Sequence, residues 1–147
     1  MAGLFHRRVA AEELAVRALL AEVRGWLALA GLSEERCGTV EIALAEALNN
    51  VVEHGYAGTR GEIALELRHA NGALRATLRD NGPPLPRLRL PAGKVPSPDG
   101  ARAALPEGGF GWFLIRSLTR ELSYARSGTE NRLTLVFDLA NGPDRAP

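Results

Sequence analysis

The sequence predicts an α/β fold, a two-layer α+β sandwich in which a mixed sheet is covered on one face by helices. Three observations lead there. The 147 residues suit one domain with one core. Apolar residues recur at intervals of three and four near the start of the chain, then at intervals of two in its middle and end. The segments so marked run in the order strand, two helices, hairpin, long loop, helix, hairpin, and no stretch repeats.

Leu4–Val9 reads as a short first strand. From about Glu12 the period changes: Val16, Leu19, Leu20, Val23, Leu27 and Ala30 form one apolar helix face. Gly31 suits the left-handed residue that ends such a helix. Ser33 then reads as an N-cap, with Glu34 and Glu35 in the first turn, where carboxylates suit the helix dipole. This second helix is expected to run to about His54 with Val40, Ala43, Leu44, Ala47, Leu48 and Val51 inward, and Gly55 closes it. Ile63, Leu65 and Leu67 alternate with Glu62, Glu66 and Arg68, as in a half-buried strand. Asn71-Gly72 predicts a two-residue hairpin turn, and Leu74, Ala76 and Leu78 continue the alternation on the return strand. Residues 81 to about 107 hold seven of the nine prolines, which predicts a long irregular loop. A third helix opens at Gly109 to Gly111 and is expected to bury Phe113, Leu114, Leu118 and Leu122. Leu122–Arg126 and Arg132–Leu139 read as a final hairpin turned by Ser127-Gly128-Thr129-Glu130. Residues 1–140 are thus expected to form the single domain, and 141–147 a frayed tail.

Composition narrows the function classes. A formal net charge of +1 with scattered arginine gives no concentrated basic face for nucleic acid. The single cysteine, Cys37, cannot form an internal disulfide, which fits a reducing compartment. The opening MAGLFHRRVA lacks the apolar core of a signal peptide, and the apolar stretch at Trp26–Leu32 is too short to span a bilayer. The expectation is a cytoplasmic protein without membrane or direct nucleic-acid partners. His6, His54, His69 and Cys37 lack zinc-ligand spacing.

Three features carry chemistry. Glu46 and Asn50 lie four apart on the second helix, about 40° apart around its axis. An amide oxygen beside a carboxylate suits a hard cation such as Mg²⁺ and a proton acceptor. The same pair alone also describes an ordinary solvated helix face. Asp80-Asn81-Gly82 ends the hairpin's return strand, with Asp80 in phase with Leu74, Ala76 and Leu78. A carboxylate on the apolar side needs a donor, which an exocyclic amino group would supply, although Asp-Asn-Gly is also a common turn. Gly108-Gly109-Phe110-Gly111 opens a helix directly after the proline-rich loop, so bare N–H groups and a helix N-terminus can form an anion site, or simply a hinge.

Together the segments EIALAEALNNVVEHGY, LRDNGPPL and EGGFGWFLIRSLTRELSY, followed by NRLTLVFDL, resemble the Bergerat, or histidine-kinase-like, ATPase superfamily. Within it they look most like the small anti-sigma-factor serine/threonine kinases. The likeness covers about Phe5 to Leu139, with the motifs in the family's order. It implies that Glu46 is the general base and that Asn50 ligates the Mg²⁺ held on the ATP phosphates. It implies that Asp80 reads adenine beside Gly82, and that Gly108, Gly109, Phe110 and Gly111 frame the ATP lid. His54 matches a position at the helix end, near the phosphates or as a cap. Thr134 matches a hydroxyl near the adenine. The lid would span about residues 83–107, with Lys94 and Arg102 within reach of phosphate, and it is longer and richer in proline than the family's pattern.

The resemblance thus implies an ATP- and Mg²⁺-dependent protein kinase. Its acceptor would be an anti-anti-sigma (STAS) protein, its second partner a sigma factor, and its usual state a homodimer. The alternative is a nucleotide-dependent binding module that sequesters its partner without useful catalysis. No G-x-x-x-x-G-K-[ST] loop and no H-R-D or D-F-G set is present.

Overall fold

The structure is a computed structural model and describes residues 3–55, 61–92 and 109–139. Five strands and three helices are present among them: β1 (Gly3–Ala10), α1 (Glu13–Leu29), α2 (Glu34–Asn50), β2 (Glu62–Ala70), β3 (Ala73–Asp80), α3 (Gly109–Leu118), β4 (Glu121–Ser127) and β5 (Glu130–Asp138). A single π-helical turn, Val51–Gly55, follows α2 directly.

The local signals act where they were expected. Gly31 takes φ of +95°, its N–H reaches the Ala28 carbonyl, and the Leu32 N–H reaches that of Leu27. This pair of bonds is a Schellman closure, which satisfies the last carbonyls of α1. The Ser33 hydroxyl accepts the Arg36 N–H at 3.2 Å and caps α2. Asn71 and Gly72 both have positive φ, 56° and 73°, as a type I′ hairpin turn demands. Arg24 of α1 donates to Glu34 and Glu41 of α2, tying the two helices along their exposed seam.

The sheet order is β1-β2-β3-β5-β4, and every neighbouring pair is antiparallel. The expected mixed sheet is therefore corrected. The crossover through α3 does return β4 parallel to β3, but β5 folds back into the slot between them. Among the described residues no two parallel strands pair.

Alternation then fixes the core. Ile63, Leu65 and Leu67 of β2, Leu74, Ala76 and Leu78 of β3, and Leu133, Leu135 and Phe137 of β5 are buried beneath the helices. Val16, Leu19, Val23 and Leu27 of α1 and Val40, Ala43, Leu44, Ala47 and Leu48 of α2 close over them. On α3 the buried side chains are Trp112 and Ile115, whereas Phe113, Leu114 and Leu118 are half-buried. The buried face of α3 is thus rotated by about one residue from the expected one, and Gly111 on it lies against Glu46 and Asn50 of α2. Leu122 is half-buried and belongs to β4.

Cys37 is 2 % exposed, and burial pushes its thiol above the ordinary value. Access and thiolate fraction are both low, so the native thiol should react with a disulfide reagent only as fast as the protein opens. Absorbance after mixing, with and without denaturant, checks this. Equal rates in the two conditions would show that α2 is not closed over its core.

Among the described residues no helix is long and apolar enough to cross a membrane.

Candidate nucleotide site

The sequence motifs meet in one cleft between α2, α3 and the β3–β5 end of the sheet. A cavity of about 110 Å³ is lined by Asn50 and Val51, by Asp80, by Trp112, and by Tyr124 and Asn131. One water needs roughly 10–15 Å³ on this measure, so the space accommodates a larger ligand group. Its walls are mainly apolar, with a few converging polar groups, the usual make-up of a small-molecule site. Pro83, Pro84, Leu85 and Pro86 form the wall opposite the helices.

Asp80 is 8 % exposed and faces inward, as strand parity requires. Its Oδ1 accepts the Gly82 N–H at 2.8 Å and the Asn131 Nδ2–H at 3.1 Å. Among the described residues both bonds fall on Oδ1, which leaves Oδ2 to a donor in the cavity. Gly82 is buried, and its N–H closes an Asx turn on Asp80.

Asn50 lines the same cavity, and its Nδ2 is buried with no hydrogen-bond partner among the described residues. A buried amide with unused bonding capacity is costly, and it marks a group shaped for a ligand. Glu46 lies one turn earlier on the same side of α2 and is half-buried. Gly111 presses against both. A Cβ built on it would lie 2.7 Å from Glu46 Oε1 and 3.7 Å from Asn50 Oδ1. The first turn of α3 therefore abuts the Glu46 carboxylate and the Asn50 amide. Helix N-termini carry unpaired N–H groups and partial positive charge, and here the Glu46 carboxylate lies beside that turn.

The donor set suits Mg²⁺. One amide oxygen from the protein is typical of an ion that keeps its waters and takes its other ligands from substrate phosphates. No group of three or more His, Cys, Asp or Glu side chains that could hold a metal ion gathers among the described residues.

The remaining expected residues divide. Gly109 and Phe110 open α3, Gly108 lies outside the described residues, and nothing is described of the Phe110 side chain. His54 belongs to the π-helical turn, and its side chain lies outside the description. Lys94 and Arg102 lie in the undescribed part of the loop. Its first part, residues 83–92, is docked: Pro86–Leu88 form a 3₁₀ turn, and the Arg116 guanidinium donates to the Pro91 carbonyl at 2.8 Å. Thr134 is not in the cleft. It pairs with Thr77 and Ser123 on the uncovered face of the sheet, because it is out of phase with the buried Leu133 and Leu135. This corrects its expected place beside the adenine.

Sequence reasoning missed the cleft's central polar residue, Asn131, which sits directly across from Asp80 on β5. Its phase with Leu133, Leu135 and Phe137 was the available signal.

Comparisons with known proteins bear on the family and the fold. The profile of the histidine kinase-like ATPase domain matches residues 9–137. Among solved structures, the RsbU and RsbW domains of Rv1364c from Mycobacterium tuberculosis match with a TM-score of 0.67 at 23 % identity. That match covers 95 % of this chain, which spans 33 % of the solved one. The Acinetobacter baumannii histidine kinase AdeS matches with a TM-score of 0.49 at 13 % identity, over 95 % of this chain and 70 % of that one. No curated protein sequence matches the chain. The profile spans nearly the whole chain: the chain belongs to the histidine kinase-like ATPase domain family.

Proposed function

We propose that this chain is an anti-sigma-factor serine/threonine protein kinase, which phosphorylates a small anti-anti-sigma (STAS) partner and otherwise holds a sigma factor inactive. The observation that carries the reading is the meeting of Glu46, Asn50 and the Gly111 turn beside the cavity that contains Asp80. The motifs' resemblance to that kinase family supports the finer assignment.

The chemistry follows from the residues. Asp80 Oδ2 accepts the exocyclic amino group of the purine, and Gly82 keeps the backbone beside it free of a side chain. The first turn of α3 receives phosphate oxygens. The Asn50 amide oxygen would hold Mg²⁺, which would supply neutralisation of the phosphate charge. Glu46 accepts the proton of the partner's hydroxyl as that oxygen bonds to the γ-phosphorus. The bond from the γ-phosphorus to the bridging oxygen breaks, and ADP leaves. His54, one turn after Asn50, is placed near the phosphates in this reading. Positioning and electrostatics do most of the work, as in phosphoryl transfer generally. The protein acts in the cytoplasm as a homodimer.

The test combines the chain with Mg²⁺, γ-labelled ATP and each STAS protein encoded near it. The expected result is label on a serine or threonine of one partner. No transfer to any of them, with a sigma factor still retained, would reassign the chain as a nucleotide-dependent sequestering module.

A further inference from the structure

We infer that Asn131 is a positioning residue for base recognition: it orients the Asp80 carboxylate toward the purine and locks it to the start of the lid, and so sets the preference for a 6-aminopurine. The inference rests on the proposed reading of Asp80 as the base-reading acid.

Asn131 is 7 % exposed, and its amide is fully engaged. Its two Nδ2 hydrogens are shared among three acceptors, Asp80 Oδ1 at 3.1 Å, the Gly82 carbonyl at 3.1 Å and the Pro83 carbonyl at 3.0 Å, so one of them is bifurcated. Its Oδ1 accepts from the Tyr124 hydroxyl at 2.6 Å and from the Arg126 guanidinium at 2.9 Å. The Tyr124 oxygen in turn accepts the Leu85 N–H at 3.1 Å, so its own proton is committed to Asn131.

These partners allow one orientation. All three neighbours of the nitrogen are acceptors, and both neighbours of the oxygen are donors. Turning the amide over would set its oxygen against a carboxylate and two carbonyls. With both ends spent inside the protein, Asn131 has no bond left for a nucleotide. Its effect passes through Asp80, which lines the cavity: Oδ1 is held by two donors, and Oδ2 has no bond among the described residues. Arg126 adds a second tie, donating to the Gly82 carbonyl at 2.8 Å as well as to Asn131. A cation at one end of the amide polarises its N–H groups toward the carboxylate at the other. The strand that reads the base, the turn after it and the first lid residues thus form one braced unit.

Base discrimination separates this role from simple structural support. ITP carries a carbonyl where ATP carries the amino group, so a fixed Oδ2 rejects it. Calorimetric dissociation constants for ATP and ITP are measured on wild type, Asp80→Asn, Asn131→Ala and Tyr124→Phe. Wild type should prefer ATP, and Asp80→Asn should abolish the preference. Asn131→Ala should cut the ATP-to-ITP preference by about tenfold or more, the worth of one hydrogen bond to a charged group, with ITP affinity little changed. Tyr124→Phe removes a single hydroxyl from a half-buried ring, so it reports even if Asn131→Ala does not fold. It should lower the ratio in the same direction by a smaller factor. A wild-type ratio in both variants, or an equal loss of both nucleotides, overturns the positioning role. An unchanged ratio in Asp80→Asn overturns the base-reading assignment itself and this inference with it.

Discussion

Replacing Glu46 by glutamine should lower phosphate transfer by roughly 10²–10⁴-fold, the usual worth of a general base, and leave ATP affinity almost unchanged. The substitution keeps the shape and removes only the ability to take a proton. Glu46 is half-buried, and glutamine fits the same space. It sits one turn before Asn50 and against the first turn of α3. Transfer of labelled phosphate at saturating partner, beside an ATP titration, gives both numbers. Transfer at the wild-type rate would remove Glu46 from the mechanism.

Gly111→Ala should lower transfer by about a hundredfold while leaving the thermal midpoint unchanged or slightly raised. The new methyl would lie 2.7 Å from Glu46 Oε1, inside any real contact distance. The obstructing atom ends a flexible side chain, so the carboxylate moves aside and the helices stay packed. Alanine also favours the helix over glycine by up to about 1 kcal/mol. Stability and activity therefore part company: the scaffold gains slightly, while the proton acceptor is displaced on the scale that costs about two orders of magnitude in rate. A fully active variant would show that the carboxylate's position is unimportant. A variant that unfolds would show that α2 and α3 cannot adjust.

Much of this site was legible residue by residue. The inward direction of Asp80 follows from its phase with Leu74, Ala76 and Leu78, and the turns at Gly31 and Asn71-Gly72 follow from backbone freedom alone. The same reasoning, applied to β5, would have rejected Thr134 and singled out Asn131, since only the latter shares the phase of Leu133 and Leu135. Other features could not be read locally. The bond from Leu85 to Tyr124 spans 39 positions, and nothing near either residue announces it. The slot taken by β5 between β3 and β4 is a choice among topologies with identical strand patterns. The buried face of α3 is set by its packing on α2, where Gly111 lies against Glu46 and Asn50, and that packing has no periodic signature.

The insertion of β5 beside β3 also bears on synthesis at the ribosome. Asp80 emerges about fifty codons before Asn131, the residue that steadies it. During that interval the first hairpin has an open edge where β5 will later dock, and its carboxylate lacks one of its two donors. Translation therefore completes the cleft only once β4 and β5 have emerged, and a nascent chain halted before that hairpin cannot have a finished one.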